Sequence, residues 1–241
     1  MPKPETLLSS ALSFVAGSVD TIGFIALSGL FTAHVTGNFV LIGAALAGGA
    51  GGVLTKLLAL PVFIVMVGLT TAALRGRDAA TAPARLGCIA VQALLLVIAM
   101  GCGLSFGSRL APDSGAAMLT GLVAVAAMAV QNAAARLAFG TLAPSTVMTG
   151  NVTQVVVDAV GWLLTPPARR DPATSARMAR FSANVGAFAL GCIGGALLVV
   201  LANWWALLAP LIALATAAWA TMRCPPAGVV AAAAAGAAGA R

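Results

Sequence analysis

Long apolar stretches follow one another along the chain, separated by short polar or glycine-rich stretches. A helix needs about 20 mainly apolar residues to cross a hydrocarbon core about 30 Å thick. Six stretches reach that length: 7–30, 57–74, 86–106, 116–138, 181–201 and 204–222. Two more, 39–50 and 152–164, extend only about 18–20 Å at about 1.5 Å per residue. The pattern predicts an all-α integral membrane protein with about six transmembrane helices and two half-helices.

The two short stretches begin beside the same tripeptide, Thr-Gly-Asn. It occurs at Thr36, Gly37, Asn38 and again at Thr149, Gly150, Asn151. Residues 24–38 align without gaps with residues 137–151, and each tripeptide lies between two long apolar stretches. We interpret this as an internal duplication within a single membrane domain, 1–241. Repeat one covers about 7–106 and repeat two about 116–222, and 227–241 is a low-complexity tail of alanine and glycine.

Composition supports this class of protein. Hydrophobic residues make up 61% of the 241 residues and charged residues 8%, whereas soluble domains carry about 25% charged residues. A soluble enzyme, a nucleic-acid-binding protein and a disordered chain are therefore excluded. The net charge of +7 then reflects basic residues in cytoplasmic loops, so the lipid bilayer is the expected partner and nucleic acid is not.

The positions of the basic residues distinguish two topologies. If all eight apolar stretches cross, nine Lys and Arg residues lie inside and four outside. If the short stretches enter and return on one side, eleven lie inside and only Lys56 and Arg109 lie outside. The positive-inside rule favours the second topology, with both termini cytoplasmic and the protein in the inner (plasma) membrane.

In that topology the two Thr-Gly-Asn loops enter from opposite sides, so the halves form an inverted internal repeat. Inverted repeats with broken helices near the midplane are a recurring transporter design. Glycine permits the backbone angles of such a break, and Thr and Asn satisfy freed main-chain groups or cap the helix that follows. Half-helix N-termini carry partial positive charge that suits an anion or a polar neutral solute. The alternative is that these residues only brace the breaks.

Asp20 lies in the middle of the first long apolar stretch. An unpaired acid there costs several kcal/mol, so it must face the interior, find a partner or be protonated. The corresponding region of the second half holds the uncharged Gln131 and Asn132. One acid in one repeat suits proton coupling; the alternative is a carboxylate bonded to Ser, Thr or main chain. His34, beside the first tripeptide, either relays protons near neutral pH or braces the loop.

Asp158 follows Asn151 by about two helical turns on one helix face, with Gln154 on a neighbouring part of it. Asp158 either lines a pathway or pairs with Arg136 or a loop arginine, and we favour pairing. Gln92 and Asn184 are expected to form hydrogen bonds between helices. The four cysteines are scattered and His34 is the single histidine, so neither a metal nor a cofactor is predicted.

These motifs resemble the YoaK-like family, domain of unknown function 1275, a family of bacterial and fungal membrane proteins. The resemblance covers nearly the whole chain. It is carried by Gly17-Ser18-Val19-Asp20 with His34-Val35-Thr36-Gly37-Asn38, and by Val130-Gln131-Asn132-Ala133 with Val147-Met148-Thr149-Gly150-Asn151. It implies a multi-pass inner-membrane protein and implies no substrate.

The main hypothesis is a small-solute transporter or channel, with no enzymatic activity. Its pathway would lie between the two Thr-Gly-Asn breaks, near Asp20 and Gln131–Asn132, and a protonatable Asp20 would couple transport to protons. One alternative is a membrane-embedded enzyme acting on a lipid or isoprenoid group. The other is a non-catalytic scaffold, which predicts fully satisfied polar residues and no cavity joining the two loops.

Overall fold

The computed structural model of the protein describes residues 3–48, 51–107 and 110–224. The predicted tail, 227–241, and Arg109 lie outside the described residues. All regular structure within them is helical. The α-helices are α1 (Pro4–Ala26), α2 (Gly37–Gly48), α3 (Val53–Leu74), α4 (Ala82–Phe106), α5 (Gly115–Leu137), α6 (Met148–Leu164), α7 (Pro172–Ala202) and α8 (Leu208–Arg223). Two 3-10 turns, Pro167–Arg169 and Asn203–Leu207, precede α7 and α8.

Five helical stretches of the described chain are long and apolar enough to cross a membrane. They are α1, α3, α4, α5 and the stretch Pro172–Arg223, in which the turn Asn203–Leu207 joins α7 directly to α8. The structure therefore confirms an all-helical membrane-type protein. The α-helix predicted over 204–222 is shorter than expected, because its first residues wind as a 3-10 turn and α8 has 16 residues.

Helices α1 and α5 form the centre of the protein. In their most apolar windows 72% and 67% of the residues are buried, against 6% in α3. The outer helices instead expose large aliphatic side chains, among them Leu46, Leu164 and Leu201. Such a surface suits contact with lipid tails, which are as apolar as these side chains.

The helices pack by the same scheme in both halves of the chain. α1 packs against α7 and α8, while α5 packs against α3 and α4. α2 packs against α3, and α6 against α7. If α1 to α4 are matched in order with α5 to α8, the contact of α1 with α7 corresponds to that of α5 with α3, and the contact of α1 with α8 to that of α5 with α4. The contact of α2 with α3 likewise corresponds to that of α6 with α7, so the two halves share one packing scheme.

Contacts along the helices give their directions. α1 and α7 are parallel, since Ser9 donates to Asn184 at 3.0 Å and Ser18, further along α1, lies against Gly195. α4 and α5 are antiparallel: Arg85 donates to the Ala138 carbonyl at 2.8 Å. The side chain of Cys224, which follows α8, lies near Glu5 of α1 and Arg85 of α4. We call the end of the bundle where α1 begins the N-terminal end, and the other the far end.

Lysine 56 binds two connecting segments at the far end, the one after α1 and the one between α2 and α3. Its ammonium donates to the carbonyls of Ser28 at 2.7 Å, Gly51 at 2.9 Å and Gly52 at 3.3 Å. Asp113, just before α5, accepts from Leu54 N–H at 3.2 Å and from Thr55 N–H at 2.8 Å. The residues that follow α1 and α2 therefore lie together with the starts of α3 and α5.

Glycines allow α1 and α7 to approach closely. A Cβ at Gly17 would overlap the Phe188 carbonyl, and one at Gly191 would overlap the Phe14 carbonyl. In α3, by contrast, a Cβ at Gly68 would meet no atom within 4 Å. Small residues are the usual means of close helix approach in membranes, so this crossing depends on them.

We expect Gly17→Ala to destabilise the protein by about 1–3 kcal/mol, because the added methyl forces the two helices apart. Thermal unfolding in detergent micelles measures the change. Gly68→Ala is the matched control: it adds the same methyl in open space, and the better helix propensity of Ala makes it neutral or stabilising. Equal melting temperatures for the two variants would contradict the role of Gly17.

Candidate functional site

Asp20 holds the loop that follows its own helix. The side chain is 4% exposed, and its Oδ1 accepts from Thr32 N–H at 2.7 Å, Thr32 Oγ1 at 3.0 Å and Ala33 N–H at 2.6 Å. Its Oδ2 contacts His34 Nδ1 at 2.5 Å. A buried acidic side chain needs such partners, and Asp20 has them in Thr32, the main chain of Ala33 and the imidazole of His34.

His34 connects this carboxylate to the surroundings. Its side chain is 34% exposed whereas that of Asp20 is 5% exposed. The ring lies edge-on to Phe188 of α7 with centroids 5.5 Å apart, and it lies close to the main chain of Thr146 in the second half. An imidazole between a buried carboxylate and a more open region is placed to pass a proton between them.

Two amides of α5 hold the loop of the second half in a similar way. Gln131 donates from Nε2 to Ser145 Oγ at 3.1 Å and accepts at Oε1 from Gln92 of α4 at 2.6 Å. Asn132 accepts at Oδ1 from Thr146 Oγ1 at 2.8 Å. In each half, then, polar side chains of the central helix bind a loop 12 to 14 residues further along.

The two loops meet at this point. Asn132 Nδ2 lies 3.4 Å from the Ala33 carbonyl of the first loop, and His34 reaches Thr146 of the second. We call this group the central polar cluster; its members are Asp20, Thr32, His34, Gln92, Gln131, Asn132, Ser145 and Thr146. The structure thus brings together Asp20, His34, Gln131 and Asn132.

The asparagines of the Thr-Gly-Asn motifs brace the loops in front of them. Asn38 donates to the Phe31 carbonyl and accepts from Phe31 N–H, both at 2.9 Å. Asn151 donates to the Pro144 carbonyl at 2.7 Å, the equivalent position seven residues earlier, where proline has no N–H to return. Of the two roles predicted for these asparagines, the structure shows the bonding of main-chain groups freed by the break and not the capping of the following helix.

The remaining motif residues are not among the side chains of the central polar cluster, although Gly37 N–H donates to the His34 carbonyl at 2.8 Å. Thr36, Thr149 and Gly150 are exposed and Gly37 is half-buried, because the half-helices α2 and α6 run along the outside of the bundle. Their predicted place in a solute pathway stays a prediction.

Asp158 and Gln154 form a separate group between α6 and α7. Gln154 donates to Asp158 at 2.9 Å, and Arg177 binds both carboxylate oxygens at 2.7 Å. The predicted pairing of Asp158 is confirmed, with Arg177 as the partner in place of Arg136. The expected hydrogen bonds between helices are also confirmed: Gln92 binds Gln131, and Asn184 binds Ser9 and the Ala143 carbonyl.

Two cavities lie to either side of the cluster. The first, of about 560 Å³, opens between α3 and α4, and its lining includes Met66, Leu69, Val91 and, in α5, Val130. Arg77, Asp78 and Thr81 lie at its N-terminal end. The second, of about 360 Å³, lies between α6 and α7 and is lined by arginines, aspartates and Trp162. Sequence reasoning predicted neither cavity. The three closely spaced arginines at 169, 170 and 177 are the sequence feature that could have indicated the second one.

Sequence reasoning did not predict that Lys56 and Asp113 lie near each other at the far end and bind main-chain groups there. Burial opposes the charged form of Asp113, but the hydrogen bonds from Thr55 and Leu54 and the nearby Lys56 ammonium outweigh it. The pKa of Asp113 therefore lies below its ordinary value. Asp113 caps the first turn of α3 from the loop before α5, since the residue at the start of α3, Gly52, has no side chain to do so.

The family comparison covers almost all of this structure. The family model described as "Protein of unknown function (DUF1275)" matches residues 8–220. The chain belongs to the DUF1275 family. This confirms the resemblance drawn from the Thr-Gly-Asn motifs, and in this DUF1275 protein the match takes in the whole central polar cluster. No curated protein and no solved structure matches the chain.

Removing the bracing asparagines should destabilise this DUF1275 protein unequally. Asn38→Ala leaves both main-chain groups of Phe31 without partners, at about 1–3 kcal/mol for each group, whereas Asn151→Ala frees only the Pro144 carbonyl. Thermal unfolding in detergent should therefore show the larger loss for Asn38→Ala. Thr36→Ala, an exposed change in the same motif, should stay within about 0.5 kcal/mol of the parent. A loss in Asn151→Ala equal to that in Asn38→Ala would contradict the asymmetry.

Asp113→Asn should lower stability in a pH-dependent way. Because the pKa of Asp113 is lowered in the folded state, its stabilisation is present above the unfolded pKa of about 3.9 and is lost as pH falls through the folded value. The melting temperature of Asp113→Asn should therefore lie below that of the parent at pH 7, and the gap should close at strongly acidic pH. A gap that is constant with pH would exclude a contribution from the charge.

Proposed function

We propose that this DUF1275 protein is a small-solute transporter in which Asp20 and His34 form a proton-binding site. The observation that carries the proposal is one juxtaposition: a buried carboxylate and a partly exposed imidazole lie 2.5 Å apart where the two loops meet. A carboxylate and an imidazole in contact hold one exchangeable proton between them, and ionisable groups at membrane depth are the usual proton relays of transporters.

We further propose six membrane crossings and two re-entrant half-helices. Lys56 binds carbonyls that follow α1 and α2, which supports a path in which α2 returns to the end where α1 finished. α6 pairs with the first turns of α7 through Asp158 and Arg177, which supports a return to the end where α5 finished. The two half-helices then enter from opposite ends.

An inverted repeat follows from this path. The packing scheme that is unchanged when the halves are exchanged and the equivalent bonds of Asn38 and Asn151 support it. In transporters built this way, substrate and coupling ions bind near the midplane at the repeat interface. We assign that position to the central polar cluster, since it joins the loops of both halves.

Proton binding at Asp20 would act on the loop directly. A proton on Oδ2, the oxygen that faces His34, neutralises the carboxylate and weakens the hydrogen bonds that Oδ1 accepts from Thr32 and Ala33 N–H, and so loosens the first loop. The same change reaches the second loop through His34 and Thr146. Coupling of a proton to movement of both loops therefore needs no group beyond those already in contact.

The cavity between α3 and α4 supports a route for the solute from the N-terminal end. It reaches Val130, the neighbour of Gln131, and its mainly apolar lining with polar residues at the mouth suits a small organic solute with an apolar part. Basic residues near this end, among them Arg75, Arg77, Arg85 and Arg223, support a cytoplasmic location for it and for both termini.

A second candidate function is that of a non-catalytic scaffold. It is favoured by the saturation of the polar groups: among the described residues, the Thr120 hydroxyl alone is a buried side-chain polar group without a partner. In a scaffold the cluster would only hold the loops in place, and proton binding at Asp20 and His34 would drive no movement of the loops and no transport.

Proton movement into proteoliposomes separates the two functions. Vesicles with an internal pH dye are challenged with defined amino acids, carboxylic acids, amines and nucleobases. For the transporter, one class drives proton movement, and Asp20→Asn and His34→Gln each reduce its rate by about tenfold or more, as general proton relays require.

Glu5→Gln is the matched control, because it makes the same change from carboxylate to amide outside the cluster and should behave like the parent. Folding of each variant is checked by gel filtration in detergent. Coupled movement that is unchanged in both Asp20→Asn and His34→Gln would overturn the proton site. Folded parent protein that moves no protons with any class would favour the scaffold.

A further inference from the structure

We propose that the cavity between α6 and α7 binds the phosphate group of an anionic phospholipid, from the leaflet at the N-terminal end of the bundle. The cavity has a volume of about 360 Å³. Its lining includes three guanidinium groups and two carboxylates: Arg169, Arg170, Arg177, Asp158 and Asp171. The inference is independent of the proposed transport function.

The arrangement of charges leaves positive charge for a ligand. Arg177 is neutralised by Asp158 in a two-oxygen pair at 2.7 Å, and Asp171 caps α7 by accepting from Ala173 N–H at 2.9 Å. Arg169 and Arg170 line the cavity without a carboxylate partner in the described chain. The lining therefore carries a net positive charge, as an anionic group requires.

Arg170 is fixed in place before any ligand binds. Its Nε donates to the Trp162 and Thr165 carbonyls, both at 3.1 Å, and its guanidinium carbon lies 3.7 Å from the centroid of the Trp162 ring. These contacts use Nε and one face of the group, and leave the two Nη atoms for a ligand. A planar, immobilised guanidinium binds phosphate with two parallel hydrogen bonds at little further entropic loss.

The setting of the cavity indicates a lipid as the source of the phosphate. The outer face of α6 beside it is aliphatic and exposed, with Val156, Val157, Val160, Leu163 and Leu164. A tryptophan beside arginines is typical of the membrane–water interface, and basic pockets between helices bind anionic lipid headgroups. A headgroup in the cavity would lay its acyl chains against this face, which a free phosphate ion would not use.

Lipid binding by native mass spectrometry and thermal shift tests the proposal. The full chain is titrated with phosphatidylglycerol, with phosphatidylcholine of the same acyl chains, and with inorganic phosphate. Phosphatidylglycerol should be retained and should raise the melting temperature, since a ligand of the folded state stabilises it. The double change Arg169→Gln with Arg170→Gln should weaken that binding by about ten- to a hundredfold.

Arg223→Gln is the matched control. It removes an arginine that also stacks on a tryptophan, 4.0 Å from the Trp219 ring, at the same end of the bundle but outside the cavity. Binding that is retained in this control and lost in the double variant supports the site. Equal binding of both phospholipids, unchanged binding in the double variant, or inorganic phosphate as effective as phosphatidylglycerol would each overturn a lipid site.

Discussion

The structure depends on one constraint: main-chain groups freed by a helix break in the membrane must find partners within the protein. Water is absent from the hydrocarbon region, and each unsatisfied group costs several kcal/mol there. Asp20 of α1 accepts from main-chain N–H groups of the first break, and the two motif asparagines bind main-chain groups of both breaks. Amides of α5 bind loop hydroxyls of the second break. This explains why α1 and α5 are the most buried helices, since each must lie beside the loop that it holds.

The two halves meet the same constraint with different chemistry. In the second half, neutral amides and hydroxyls hold the loop: Gln131 with Ser145, and Asn132 with Thr146. Neutral groups are therefore sufficient for bracing in this fold. The first half uses Asp20 and His34 for the same position, although a buried carboxylate is more costly than an amide. Bracing alone does not require that choice, and the proton that we propose to lie between the two groups would account for it.

Sequence reasoning reached the helices and the family but not most partners of the polar residues. Apolar length defined the helices, and the repeated Thr-Gly-Asn defined the halves. The partner of Asp158 is set by the tertiary structure. Because α6 packs antiparallel to α7, the carboxylate meets Arg177 of α7 and not Arg136 of α5. The pairing of Asp113 with the start of α3 joins residues far apart in the chain and has no local pattern. Both cavities form where neighbouring helices diverge, and the pattern of apolar residues along the sequence does not predict the angle between two helices.

The proposed proton site and the proposed phosphate cavity lie on one connected set of helices. Glycine packing fixes α7 to α1, which carries Asp20, and the pair of Arg177 with Asp158 fixes α6 to the same α7. His34 also touches α7, through Phe188. A lipid that holds α6 and α7 together would therefore stabilise the support on which the first loop rests.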